Sequence, residues 1–443
     1  MFAFLVVVGL FGIALLSIYL MACHVEVGLF SLLAANFLNL TFGMNATAFG
    51  RLHLNLVDAV YIGLLIAGVC RSFRGFRFLN ATRILTVGYL LVFASSFARG
   101  ISANGVFAAG NEARGFVGPL LAMLYFLDAP ADEKSVRRYV HGFLVFGAAL
   151  CVVAALAAAG LPVGVSAWAK SAVAAADNRY LPSSAAAAIG VCGFLALARS
   201  SYHGHSFVTE LQAPAFFLVA IYLRHRTVWM LLLAGTAALL FVDGRLFRRI
   251  LPAALLALIA VVGIAFLENG NANLAGEDEF SASVSNANTW YWRVNGWQEF
   301  LFDSDQTPFT VLMGKPIGSG WWRIDPLSHL AQTAPPHSEY VTEYLRAGMI
   351  GLFFLMCFLL GPFIALWRVR KEWFVVTYPC TSIWIVVVFI TLVYGVTYSI
   401  EPESYALFGI ASAIAFRART PQELPAPREL APWGVDSSVT FAK

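Results

Sequence analysis

Residues 348–367 of the chain read GMIGLFFLMCFLLGPFIALW and contain no charged side chain. A transmembrane helix needs about 20 mostly apolar residues to cross the hydrocarbon core of a bilayer, and this run has that length. Further apolar runs follow one another along the chain, which predicts about 11–13 membrane spans. They lie at residues 2–22, 27–48, 55–70, 84–103, 116–128, 139–160, 184–198, 207–223, 227–242, 250–267, 374–396 and 403–416.

The composition excludes several classes of protein. Of the 443 residues, 59% are hydrophobic and 12% are charged, and the mean hydropathy is +0.74. An ordinary soluble domain has roughly 25% charged residues. The chain is therefore not expected to be a cytosolic enzyme, a disordered protein or a disulfide scaffold. The net charge of +4 is not arranged as a basic stripe between aromatic residues, so no nucleic-acid partner is expected.

Four clusters of basic residues lie between the apolar runs, and an even number of runs separates each cluster from the next. All four can therefore face the cytoplasm together, as the positive-inside rule requires. This orientation predicts an all-α polytopic membrane protein. The clusters are Arg71, Arg74, Arg77 and Arg83; Lys134, Arg137 and Arg138; Arg245, Arg248 and Arg249; and Arg368, Arg370 and Lys371.

The same orientation divides the chain into four segments. We predict a transmembrane helical bundle at 1–267, a large outer loop at 268–347, C-terminal transmembrane helices at 348–416 and a disordered cytoplasmic tail at 417–443. The loop has roughly 80 residues, far more than an ordinary connection, which favours a function. Its aromatic residues suit either a membrane interface or a surface that stacks on sugars. They are Trp290, Tyr291, Trp292, Trp297, Trp321 and Trp322.

The segment directly before the apolar run quoted above holds the strongest candidate for chemistry. Pro335 and Pro336 favour a helix start, so His337 is predicted at or beside the N-cap, on the outer side. Free N–H groups at a helix N-terminus attract anions, and a neutral histidine there can accept a proton from a hydroxyl. Tyr340 and Tyr344 follow at i+3 and i+7 and are predicted to share its face. The alternative is that His337 is only a polar cap.

Arginines on the outer side are the second group of candidates. Arg224 and Arg226 lie at a helix end where the positive-inside bias disfavours cations, and Arg179 and Arg114 each precede an apolar run. Guanidinium groups bind phosphate through paired N–H donors, although each of these arginines can instead reach lipid headgroups. With His337 they suit a diphosphate on a lipid, the arginines holding the leaving group. No acidic cluster has metal-ligand spacing, so neither a metal nor a cofactor is expected.

These landmarks, taken in order, resemble the O-antigen ligase and Wzy-type O-antigen polymerase superfamily. Residues 336–351 resemble the family's His-Asn-x-Tyr…Gly-x-x-Gly pattern, with Ser338 in place of the usual asparagine. His225 replaces the serine of a Ser-Arg motif at the start of a span. The resemblance covers roughly residues 178–367. Its other landmarks are an outer arginine, a basic turn, an Arg…Trp segment and a Gly-rich stretch, at 178–184, 244–249, 292–297 and 312–321.

The resemblance implies a GT-C-like bundle of about 12 transmembrane helices with one large periplasmic loop. It implies a metal-independent, inverting glycosyltransferase of the bacterial inner membrane, with no cofactor and an active site facing the periplasm. The donor is an undecaprenyl-diphosphate-linked glycan, and the acceptor is a glycan or the lipid A core. The catalytic residues implied are His337, Arg226 and Arg179. The further candidates for substrate binding are Arg114, Arg224, Arg293, Tyr340 and Tyr344.

Three alternatives stay open at this point. A ligase and a polymerase differ only in acceptor. The tryptophan-rich loop favours a polymerase, but four outer cations can bind the phosphates of a lipid A core, namely Arg293, Lys315, Arg323 and Arg346.

A transporter of polysaccharide or lipid-linked glycan would place charges at mid-membrane. Only Asp58 and Glu210 are expected within runs, both near their ends. An intramembrane serine protease needs a serine–histidine dyad inside the membrane, and none stands out.

Overall fold

The structure is a computed structural model, and it describes most of the chain. The described residues are 2–42, 47–49, 52–74, 81–161, 163–164, 180–202, 207–244, 247–248, 251, 259, 288–302, 306–324, 331–333, 335–370 and 381–419. The helices within them are α1 (Phe2–Cys23), α2 (Val25–Phe42), α3 (Leu56–Arg74), α4 (Ala81–Asn104), α5 (Val106–Phe126), α6 (Glu133–Ala158), α7 (Ser183–Tyr202), α8 (Phe207–Tyr222), α9 (Arg226–Val242), α10 (Asn288–Leu301), α11 (Pro308–Met313), α12 (Glu339–Val369), α13 (Thr381–Thr397) and α14 (Pro402–Arg419).

Two short antiparallel hairpins are the exception to this helical structure. In the first, β1 (Thr47–Phe49) pairs with β2 (Leu52–Leu54), and Thr47 lies opposite Leu54. In the second, β3 (Trp322–Ile324) pairs with β4 (Ala331–Thr333), and Trp322 lies opposite Thr333. Each strand has three residues, so the described chain is almost entirely helical.

Four described helices are long and apolar enough to cross a membrane, judged by length and composition. They are Val25–Phe42, Ile84–Asn104, Glu133–Ala158 and Glu339–Val369. Shorter apolar helices accompany them at Gly12–Cys23, Ser183–Arg199, Glu210–Tyr222, Arg226–Val242 and Thr381–Thr397. The predicted all-α architecture is therefore confirmed for the described residues, and so is the presence of helices long and apolar enough to cross a membrane.

Several predicted boundaries were wrong because hydropathy does not report where a helix begins and ends. The run predicted at 116–128 is part of α5, which begins at Val106. The connection between α4 and α5 is the single residue Gly105, whose φ of 84° ends one helix and allows the next to begin. The run at 27–48 is too long, since α2 ends at Phe42. Helix α12 begins at Glu339, nine residues before the predicted start at 348, so it reaches into the predicted outer loop.

Helix α12 lies at the centre of one half of the bundle. It packs against α4, α13 and α14, while α14 also packs along α5. In the other half α7 packs against α6, α8 and α13, and α13 packs on α9. Helix α13 therefore connects the two halves, and its C-terminal end lies between the starts of α7 and α12.

Helix α12 has a kink where the short helix α11 meets it. Gly348 has φ 68° and ψ −169°, which interrupts the helical backbone. A Cβ atom at Gly348 would lie 2.2 Å from the carbonyl oxygen of Leu312 in α11. The N–H of Lys315 donates to the carbonyl of Leu345 at 2.6 Å. The kink therefore makes room for the end of α11 and exposes backbone groups that bind the segment after it.

Residues 313–320, which begin at the last residue of α11, are bound along their backbone by α4. Arg99 donates to the carbonyl oxygens of Met313 at 2.6 Å and Gly314 at 2.9 Å. Asn104 donates to the carbonyl of Ile317 at 3.0 Å. Gly100 completes the contact, since a Cβ atom there would lie 2.3 Å from the Ile317 carbonyl oxygen. The glycine-rich stretch predicted in the outer loop is therefore inserted against the helices.

Arg346 of α12 holds the same segment from the opposite side. Its side chain is 2% exposed and forms an ion pair through Nε with Glu112 of α5. Nη1 donates to Ser319 Oγ at 2.8 Å and Nη2 to the Gly320 carbonyl at 2.6 Å. The guanidinium also lies 3.8 Å from the ring centroid of Trp321. The prediction that Arg346 is an outer cation available to substrate phosphates is wrong, because all of its nitrogens bind the protein.

The kink gives a test of the fold. Replacing Gly348 with alanine is expected to lower the stability of the purified protein by more than about 2 kcal/mol, because alanine is strained at positive φ and its Cβ would overlap backbone. Gly361 in the same helix is the matched control, since nothing lies within 4 Å of its Cβ position. There alanine is expected to be neutral or to gain up to about 1 kcal/mol. Equal melting temperatures of the two variants in detergent would contradict the role of the kink.

Candidate active site

His337 lies in the turn that leads into α12. Its φ is 51°, a left-handed conformation that few non-glycine residues adopt. Ser338 is the N-cap of the helix, and its Oγ accepts the N–H of Val341 at 3.4 Å. Trp297 of α10 donates Nε1 to the carbonyl of Pro336 at 2.6 Å. Strained backbone that is held in place from outside is typical of functional positions.

Tyr398, directly after α13, joins His337 to Arg293. The rings of His337 and Tyr398 meet edge to face, with centroids 6.3 Å apart and an interplanar angle of 67°. Arg293 of α10 lies over the same tyrosine, with its Cζ 4.6 Å from the ring centroid, and its Nη2 donates to the phenol oxygen at 2.9 Å. Tyr394 stacks behind Tyr398 at 5.2 Å. An imidazole and a guanidinium group therefore meet at one aromatic ring.

Glu339, the first residue of α12, fixes the connection between α13 and α14. Its Oε2 accepts the N–H of Ile400 at 3.0 Å, and its Oε1 accepts the hydroxyl of Tyr405 at 2.7 Å. Its own N–H donates to the carbonyl of Tyr398 at 3.2 Å. These three bonds join α12 to residues 398–405, so they hold the Tyr398 ring beside the histidine.

The starts of α7 and α9 reach the same cluster. Ser183 Oγ of α7 lies 3.3 Å from the hydroxyl of Tyr394. The carbonyl of Leu181 lies 2.9 Å from Nε2 of His225, which is buried and is the N-cap of α9. Arg226, the first residue of α9, is half-buried. A continuous series of contacts therefore runs from the N-terminus of α9 to the candidate base, at one end of the bundle.

Arg224 lies in the tight turn between α8 and α9, where its φ is 57°. The ring of Tyr222 at the end of α8 stacks on Tyr180, with centroids 5.9 Å apart and an interplanar angle of 9°. This stack holds the turn against the start of α7. Arg179 precedes Tyr180 in the sequence but lies outside the described residues, so its role stays a prediction.

Glu401, in the connection between α13 and α14, adds a titratable carboxyl to this end of the bundle. Burial, and then the nearby carboxylate of Glu339, raise the pKa of Glu401 to about 7, although a hydrogen bond with Ser184 opposes the shift. A carboxyl group with a pKa near the ambient pH can exchange a proton with its surroundings. Nothing in the local sequence marks Glu401, because its burial depends on helices that are distant in the chain.

The prediction that Arg114 lies in an outer connection was wrong. Arg114 is inside α5 and forms an ion pair with Asp58 of α3, with Nη1 and Oδ2 3.1 Å apart. The Arg114 side chain is still 33% exposed. It joins α3 to α5.

The prediction that His337, Tyr340 and Tyr344 share a helical face was also wrong. The i+3 and i+7 spacing applies only within a helix, and His337 precedes α12. Tyr340 donates its hydroxyl to the carbonyl of Leu392 at 2.8 Å and so packs α12 onto α13. Tyr344 is half-buried one turn further along.

Buried acids inside the helices were missed. Glu343 of α12 is 1% exposed; its Oε2 accepts the hydroxyl of Tyr89 at 2.8 Å, and within the described residues its Oε1 has no hydrogen-bond partner. Glu403 of α14 is also buried and accepts Nδ2 of Asn36 at 2.5 Å. The expectation that only Asp58 and Glu210 lie within spans is therefore wrong. An acid near a helix N-terminus has the same sequence pattern whether it is exposed or buried.

The fold and the cluster together define an almost entirely helical, membrane-associated chain with a His–Tyr–Arg group at one end of its bundle. Within the part of the chain that the structure describes, no three His, Cys, Asp or Glu side chains are grouped to hold a metal ion. No protein-family model matches the chain, and no curated protein matches it either.

Proposed function

We propose that this protein is a membrane glycosyltransferase that moves a glycan from an undecaprenyl-diphosphate donor to a sugar hydroxyl. The observation that carries the proposal is the group at His337. A histidine in a strained turn lies against Tyr398, beside Arg293, at the end of the bundle where Arg226 begins α9. A base beside cations is what a reaction with an anionic leaving group requires.

Each residue of the proposed site has one role in the transfer of the glycan. The imidazole of His337 takes the proton of the acceptor hydroxyl as its oxygen attacks the anomeric carbon. The bond from that carbon to the diphosphate oxygen breaks, and undecaprenyl diphosphate leaves with both electrons of the bond. Arg226, together with Arg179, stabilises the charge on the leaving group. Arg293 and Tyr398 hold the imidazole in position. Attack opposite the leaving group inverts the anomeric centre.

The proposal also covers the number of membrane spans and their orientation. About 12 helices would span the bacterial inner membrane, with the end that carries His337 facing the periplasm. Residues 288–338 would lie on that face. They include α10 and α11, which contact α12 directly, so the periplasmic segment would form one wall of the acceptor site.

A second candidate, a transporter of polysaccharide or lipid-linked glycan, is favoured by one observation. Glu343 is fully buried within α12, and its Oε1 has no partner among the described atoms. Ionisable groups inside the membrane often serve ion-coupled transport. Under this alternative, Glu343→Gln would abolish movement of glycan across the bilayer, and no new glycosidic bond would form.

The test is the product formed by purified protein given the lipid-linked donor in EDTA. Lengthened glycans from donor alone are expected of a polymerase, and products that form only after lipid A core is added are expected of a ligase. Either product should form without a divalent metal. If no glycosidic bond forms with any acceptor while vesicles containing the protein translocate the donor, the transferase is excluded in favour of the transporter.

A further inference from the structure

A cavity at the opposite, basic end of the bundle has no role in the proposed reaction. It has a volume of about 660 Å³ and opens between α2 and α6. Both helices are among the four that are long and apolar enough to cross a membrane, and the cavity lies at their ends. Such a position corresponds to the boundary between lipid headgroups and acyl chains. The lining residues are Phe30, Asp132, Glu133, Lys134, Arg137, Arg138 and His141.

Two of the basic side chains that line the cavity form ion pairs within the protein. Arg137 pairs with Glu133, and Arg138 pairs with Glu26 at 2.8 Å. Both side chains of the Arg137–Glu133 pair are exposed, at 38% and 47%, and such a pair is worth at most about 1 kcal/mol. Arg138 is 50% exposed, while its partner Glu26 is 15% exposed. A phosphate can therefore share or replace these partners.

Two further lining residues carry polar side chains, and one of them, Lys134, adds a positive charge. Among the described residues, Lys134 and His141 form no hydrogen bond or ion pair. Asp132 is already engaged as the N-cap of α6, where it accepts the N–H and hydroxyl of Ser135. The cavity therefore presents the Lys134 ammonium group, a cationic donor with no partner among the described residues.

The wall of the cavity changes from basic to apolar along α6. Phe30 of α2 is 43% exposed and lies across Gly142, where a Cβ atom would be 2.8 Å from its ring. Val145, one helical turn beyond His141, is 53% exposed. A charged cavity next to exposed apolar side chains matches a ligand with a phosphate at one end and hydrocarbon at the other.

We propose that this cavity binds the headgroup phosphate of an anionic phospholipid. Lys134, Arg137 and Arg138 would surround the phosphate, and an acyl chain would lie along Phe30 and Val145. Paired basic side chains between membrane helices are the usual partners of such headgroups. The proposal is independent of the transferase reaction, because the cavity and the His337 cluster lie at opposite ends of the helices.

The test measures lipid binding to the full-length protein by native mass spectrometry, with phosphatidylglycerol and phosphatidylcholine as probes. Wild-type protein is expected to retain more phosphatidylglycerol than phosphatidylcholine. Lys134→Gln should weaken that binding about 5-fold and Lys134→Glu about 25-fold, while Lys134→Arg keeps it, since each basic charge near a headgroup is worth about 1 kcal/mol. Because Lys134 is exposed and has no described partner, these changes leave the fold intact.

Arg368→Gln is the matched control, since it removes one exposed basic charge at the end of α12 and lies outside the cavity. Equal retention of the two lipids, or equal losses for Lys134→Gln and Arg368→Gln, would overturn the proposal. Competition with inorganic phosphate distinguishes a lipid headgroup from a soluble anion as the source of the bound phosphate. If it displaces bound phosphatidylglycerol at equal concentration, the site takes a soluble anion, and the lipid assignment is wrong.

Discussion

Replacing His337 with asparagine is expected to reduce glycan transfer by roughly 10²–10⁴-fold, the usual contribution of a general base. Asparagine is the appropriate substitution because it tolerates the left-handed backbone that His337 adopts. Alanine there would combine loss of the base with strain at positive φ. The readout is the initial rate of lipid-linked product formation by purified protein, with the melting temperature measured in parallel.

His24→Asn is the matched control for this prediction. His24 is an exposed histidine in the connection between α1 and α2, so the same chemical change is made far from the cluster. Its transfer rate should equal that of the wild type. If His337→Asn transfers glycan at the wild-type rate while remaining folded, His337 is not the general base.

Breaking the pair between Arg346 and Glu112 is expected to have the largest effect on stability. Glu112→Leu leaves a guanidinium group that is 2% exposed without its counter-charge, which costs about 3–5 kcal/mol when one partner of a buried pair is removed. The double variant Glu112→Leu with Arg346→Met removes both charges, and it should recover part of that loss. The midpoint of denaturation in mixed detergent micelles gives the comparison.

Glu133→Gln controls for the loss of an ion pair as such. Glu133 pairs with Arg137 on the surface, with both side chains more than a third exposed, so its removal should cost at most about 1 kcal/mol. The double variant also loses the contacts of Arg346 to Ser319 and Gly320, so full recovery is not expected. If Glu112→Leu is as stable as Glu133→Gln, the buried pair of Arg346 and Glu112 does not hold residues 313–320 in place.

The helical architecture can be predicted from the sequence because the membrane imposes it locally. An uncharged run such as 348–367 has to be helical in lipid, where each backbone N–H and C=O must be satisfied within the segment. The ends of the helices are set by other forces. Gly105 ends α4 through its positive φ, and Glu339 begins α12 within a polar stretch that hydropathy assigns to a loop. Element type is therefore predictable here, while boundaries depend on caps and tertiary contacts.

The candidate site was predictable only in part. Pro335 and Pro336 correctly mark the start of α12, and His337 does lie beside its cap. The contribution of Tyr398 could not be predicted, because it follows α13 and reaches His337 only through packing of two helices. Arg114 and Arg346 show the converse problem. An arginine in a sequence has the same pattern whether it faces substrate or an internal carboxylate, and both of these bind glutamate or aspartate within the bundle.

The hydrogen bonds from Arg99 and Asn104 to backbone carbonyls of residues 313–320 have a consequence for protein engineering. The donors are on α4, whereas the acceptors belong to a segment more than two hundred residues later. A chimera that exchanged α4 alone for one without Arg99 and Asn104 would remove these side-chain donors and leave the backbone carbonyls of Met313, Gly314 and Ile317 without them. The smallest transplantable unit is therefore discontinuous in the gene, comprising α4, residues 308–321, and the Glu112–Arg346 pair that holds the same segment from the opposite side.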